Sequence, residues 1–300
     1  MNFRYKIKSE LSENQIEAEV ASYLGYITPH WSSRYRLIAV DEQVTGADKL
    51  FDRFVPIYLQ FKVSEGLNPS AIIPSRFLGK SLPNIIRYRR RNNLAVNPTL
   101  YFPLRKKAKT AFDFQHNILK SFHNPPNQYA LYVAPLTLSN KDYVQMINSS
   151  GPNVLGLIPP FSYRYSGLYD SFSNRTQMLG MIPFLNGHIS IPPHVQTTSD
   201  KHHYSFSASG WNVVWHGGEV YPGNYKFSSM LNRIFEESYS RDYGYSLETY
   251  YKQIEPISKE LGLFELINQN ETPLDRIIRF SRGLYSQYYI KMFVLSLKDK

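Results

Sequence analysis

Nineteen prolines are spread along this chain of 300 residues, and they limit how long any element can be. They include Pro29, Pro69, Pro74, Pro83, Pro98, Pro103, Pro125-Pro126, Pro159-Pro160 and Pro192-Pro193. Each one removes a backbone donor and restricts the residue before it, so helices and strands end close by. The expectation is a fold of short elements joined by many loops. There is no internal repeat, heptad array or low-complexity tract. Apolar residues make up 42%, enough for a sizeable core in one large domain or two small ones. No run approaches the roughly 18–20 apolar residues of a membrane span. The N-terminus lacks the continuous apolar stretch of a secretory signal, and cysteine is absent. Those two features predict a soluble, cytoplasmic chain without disulfides, thiolate metal sites or cysteine nucleophiles.

Between the prolines the hydrophobic periodicity is readable. Ser12 and Gln15 make a capping-box pattern, and Ile16, Val20, Tyr23, Leu24 and Ile27 recur at helical spacing. On that helix Glu13 falls close to the centre of the apolar face and Glu17 on its rim. A carboxylate there needs a partner. Strands are predicted over 35–40, 45–51 and 57–63. In the last, Ile57, Leu59, Phe61 and Val63 share one face, and Tyr58, Gln60 and Lys62 the other. A helix is predicted over 112–122 and a buried strand over 129–134. Residues 136–227 read as a loop-rich β extension, with strand-like pieces at Val154–Ile158 and Trp211–Trp215. Residues 228–300 read as helical, ending in a helix pair over Leu274–Leu297. The resulting sections, 1–135, 136–227 and 228–300, could equally be one domain.

Charge is concentrated. The formal net charge is +10, and residues 66–112 contain no acidic side chain. That window holds ten cations, among them Arg87, Arg89, Arg90, Arg91, Arg105, Lys106 and Lys107, and so supplies the whole excess. Such a segment suits the phosphates of a nucleic acid, from which Lys and Arg release counterions. Tyr88, Tyr101 and Phe102 lie among the charges and are placed to stack on bases. A solvated basic loop would look the same in sequence. Other chemistries find no support. The chain has no P-loop, no GxGxxG, no GxSxG elbow and no HExxH, and the spacings of His188, His194, His202, His203 and His216 match no zinc pattern.

The order helix, three strands, helix, strand, with Glu13 or Glu17, Gly46-Ala47-Asp48 and Gln60-Phe61-Lys62 in sequence, resembles the PD-(D/E)xK nuclease superfamily in its Gln-x-Lys variant. The resemblance covers roughly residues 10–135. It implies a mixed α/β fold with a restriction-endonuclease-like α-β-β-β-α-β core, and metal-dependent hydrolysis of phosphodiester bonds, with DNA as the substrate and prokaryotic defence as the setting. On that resemblance Asp48, Gln60 and a helix glutamate, Glu17 or Glu13, would hold Mg²⁺ or Mn²⁺. Lys62 would orient the attacking water or stabilise the developing charge. The chain departs from the family pattern in two ways. Gln60 stands where the family more often has Glu, and the segment between the third strand and second helix, residues 66–112, is long. A module that keeps the fold and binds nucleic acid or a protein without cutting is the alternative. Protein partners of either kind would be a second copy or a defence-system subunit.

Overall fold

The structure is a computed structural model that describes residues 5–27, 35–40, 53–71, 73–75, 81–109, 111–150, 182–216, 219–240, 244–263 and 271–297. It is a mixed α/β fold with two sheets and, among the described residues, eight helices. The predicted second strand, 45–51, and the piece at 154–158 lie outside the described residues.

The first helix, α1 (Glu13–Ile27), starts where the capping signal places it. The Gln15 backbone N–H donates to Ser12 Oγ at 3.2 Å, but the Gln15 side chain donates to Asn140 Oδ1 instead of returning to Ser12. Its buried stripe is Ile16, Val20, Tyr23 and Leu24. The five-stranded sheet has the order β2 (Tyr35–Ala39), β11 (Lys291–Leu297), β3 (Phe54–Phe61), β6 (Tyr129–Pro135), β7 (His188–Ile191). Strands β3 and β6 are parallel, with Gln60 opposite Tyr132; the other pairings are antiparallel. Both edges of β3 are therefore occupied, by β11 and β6. The face of β3 bearing Val55, Ile57, Leu59 and Phe61 packs on α1 and on α6 (Phe227–Ser240). The opposite face, bearing Phe54 and Tyr58, joins a core shared with α3 (Gln115–Ser121), α7 (Leu247–Glu260), α8 (Pro273–Tyr288) and the second sheet.

That second sheet has six strands, all antiparallel: β1 (Lys6–Ile7), β4 (Glu65–Leu67), β5 (Thr99–Pro103), β8 (His203–Ser207), β9 (Trp211–Trp215) and β10 (Glu219–Asn224). Strands β1, β4 and β5 come from before residue 135 and β8, β9 and β10 from after it, while the five-stranded sheet draws β11 from beyond residue 227.

Three expectations are corrected. The basic window is not a long loop: it forms α2 (Ser81–Arg91) and β5, and α2 packs Ile85 and Ile86 on Tyr5, Leu67 and Tyr101. Residues 140–150, read as part of a β extension, form helix α4 (Asn140–Ser150), and Pro183–Asn186 form the short α5. The predicted C-terminal helix pair is a helix followed by a strand. α8 stops at Tyr289, whose φ of 54° is left-handed, and β11 follows with all seven residues buried. A strand buried on both faces shows no alternation, so its apolar run is indistinguishable from helix in sequence.

Candidate active site at the carboxyl end of β3

The carboxyl end of β3 brings two buried polar side chains, Gln60 and Lys62, to one face. Gln60 is wholly buried, and neither its side-chain oxygen nor its nitrogen has a hydrogen-bond partner. A buried amide without partners is costly. Lys62 follows on the same face, with its backbone N–H donating to Val133 O at 2.8 Å, which extends the ladder to β6. Its side chain is 6% exposed. Lys62 Nζ donates to Gln115 Oε1 at 3.4 Å and lies 6.0 Å from the centre of the Tyr132 ring. Burial pulls the Lys62 pKa down to about 8; Glu13 opposes that shift and Arg105 adds to it. Gln115, the first residue of α3, in turn donates to Tyr288 O at the end of α8.

The helix glutamates divide. Glu13 is half-buried and acts on Lys62 through its charge. Glu17 pairs with Lys291 at 3.5 Å, both side chains nearly enclosed. Lys291 opens β11 and sits opposite Leu59, one residue before Gln60. Asp48 lies outside the described residues. Among the described residues no three His, Asp or Glu side chains converge to hold a metal ion. The unpartnered Gln60 Oε1 is a hard oxygen donor of the type that fits Mg²⁺ or Mn²⁺.

Gln115 also lines an open cleft of about 670 Å³. Arg105, Lys106, Lys107, Tyr288 and Tyr289 also line it. The Arg105 guanidinium lies 3.7 Å from the centre of the Tyr289 ring, and Lys107 Nζ donates to Phe112 O at 2.9 Å. Lys62 therefore sits one side chain behind a cationic cleft.

The other candidate phosphate contacts separate by face. Arg87, Arg90 and Arg91 are exposed at i, i+3 and i+4 on α2; Arg87 donates to Asn84 Oδ1 at 2.8 Å and Arg90 to Pro69 O at 3.0 Å. Arg89 is a correction. It is fully buried, and its guanidinium donates to Ala95 O (2.8 Å), Ser205 Oγ (3.2 Å) and Asn212 O (3.0 Å). Desolvation lowers its pKa to about 10. It braces α2 against the second sheet and offers nothing to a phosphate. The stacking role expected of Tyr101 and Phe102 is likewise overturned, because both are core residues. Tyr88 is half-buried, edge-on to His216.

Gln115, Lys291, Tyr288 and Tyr289 were not singled out in sequence. No local pattern marks them, since each reaches the site only through tertiary packing. No family model, curated protein or solved structure matches this chain.

Proposed function

We infer that this chain is a nuclease-like protein that hydrolyses phosphodiester bonds of DNA at the carboxyl end of β3. The observation that carries the reading is Lys62: a buried lysine with a depressed pKa, held by one amide and set behind a cationic cleft. Burying an amine this way is costly, and groups so perturbed beside a cleft concentrate at functional sites. Arg105 and Lys106 would draw the phosphate backbone to the cleft. Lys62, fixed by Gln115, would place its ammonium against the negative charge that develops on the phosphoryl oxygens. Gln60, Asp48 and a helix glutamate would hold Mg²⁺ or Mn²⁺, which when bound supplies an acidic water and polarises the phosphoryl group. Cleavage of end-labelled DNA tests this. It should require Mg²⁺ or Mn²⁺, stop on chelation, and be lost in Asp48→Ala.

A second reading, a module that binds DNA without cutting, is favoured by two observations: Glu17 already pairs with Lys291, and Gln60 brings no charge. In that case wild-type protein binds DNA and Mn²⁺ but leaves the DNA intact under all conditions.

A further inference from the structure

We propose that the cleft beside Gln115 holds one unpaired nucleotide of a single-stranded DNA segment, with its base stacked on Tyr289 and its phosphate on Arg105 and Lys106. This rests on the reading above for its substrate class and adds what that reading leaves open, the strandedness of the DNA. Tyr289 is the central observation. It caps α8 in the left-handed region, at φ 54° and ψ 36°, where a glycine is the favoured residue and a bulky side chain is strained. A strained conformation kept at a cleft points to use of the side chain. The residue is 45% exposed, and its ring is held by the Arg105 guanidinium at 3.7 Å and by Tyr285 at 6.2 Å between ring centres. An arginine lying over an aromatic ring fixes the ring's orientation and keeps its own N–H edge available for a phosphate.

The cleft's volume, about 670 Å³, is that of a small-ligand pocket. The bases of a duplex already stack on their neighbours, so an aromatic ring gains a base face only where the nucleotide is unpaired. Three cations, Arg105, Lys106 and Lys107, line the cleft against one carboxylate, Asp113, whose oxygens already accept from the Phe114 N–H at 2.6 Å and the Asn117 amide. The balance facing a ligand is therefore cationic.

The test is fluorescence anisotropy with a labelled oligo-dT and a duplex of equal length, in EDTA so that no cutting occurs. Wild type should bind the single strand more tightly than the duplex. Tyr289→Gly should weaken single-strand binding by about tenfold to a hundredfold, the range that base stacking supplies, while its melting temperature rises because glycine suits the cap. Tyr289→Phe should bind as wild type does. Equal affinity of Tyr289→Gly and wild type for the single strand would overturn the proposal, as would a wild type that prefers duplex or binds neither. The nuclease reading is separable: a protein that never cuts yet shows Tyr289-dependent binding loses only that reading. A protein that cuts while Tyr289→Gly binds normally loses only this one.

Discussion

Lys62 Nζ reaches Gln115 Oε1 at 3.4 Å, so the amine at the end of β3 is held by the same residue that lines the cationic cleft. A lysine enclosed this way should titrate near pH 8, not near its usual 10.5. The unfolded chain keeps its proton up to the higher value. Between the two the unfolded state binds more protons, so stability should rise with pH across that window, and the cost of burying the charge stands in full below it. NMR of the lysine Cε–Nζ groups should show one midpoint near 8 that vanishes in Lys62→Met. A full set of lysines titrating normally would remove Lys62 from its proposed role.

Arg89 is predicted to be structural. Arg89→Met removes three hydrogen bonds, to the backbone carbonyls of Ala95 and Asn212 and to Ser205 Oγ, and leaves a fully buried position on the stripe of α2 without its polar partners. It should cost about 2–4 kcal/mol in urea unfolding. Replacing Arg87, Arg90 and Arg91 by Ala should leave stability within about 0.5 kcal/mol each. If all three meet phosphates, that triple variant should flatten the salt dependence of DNA binding by about 2 to 3 units. An Arg89→Met variant of full stability and reduced DNA affinity would reverse the assignment.

His116 and His188 share an arrangement that makes the fold acid-sensitive. Each ring donates to a backbone carbonyl, of Val195 and Phe184, and accepts from a tyrosine hydroxyl, of Tyr132 and Tyr143. Burial holds both pKa values down, to about 4. These bases stay neutral when folded but take up a proton at about 6.5 when unfolded. The stability they contribute is present above about 6.5 and is lost as pH falls toward 4. Each histidine should steepen that loss by up to about 1.4 kcal/mol per pH unit. Urea unfolding at pH 7 and pH 5 measures it, and a flat profile would contradict it.

Gln60→Glu isolates the metal question. The substitution converts an unpartnered amide into a carboxylate with almost no change of shape. If Gln60 is a ligand, Mn²⁺ should bind more tightly by calorimetry. An unchanged isotherm would take Gln60 out of the site.

The legible parts of this molecule are those written in local periodicity. α1, β2, β3 and β6 are readable because Ile16, Val20 and Leu24 repeat at helical spacing and Ile57, Leu59 and Phe61 alternate. The burial of Arg89 is written in its spacing and masked by its charge: it lies four residues after Ile85 and three after Ile86, on the buried stripe of α2. Lys291 and Gln115 carry no such mark. Gln115 meets Lys62 across 53 residues of chain, and Lys291 opens a strand whose Met292–Leu295 run, buried on both faces, shows no alternation. The αL cap at Tyr289, which separates helix from strand, occupies a position where a glycine would have announced the stop.

The most direct measurement is single-turnover cleavage of DNA in Mn²⁺ by wild type and Lys62→Ala, with circular dichroism confirming that both are folded. Removing one charge-stabilising group from a phosphoryl-transfer site should slow cleavage at least about a hundredfold. Cleavage by Lys62→Ala at the wild-type rate would contradict the assignment of this site.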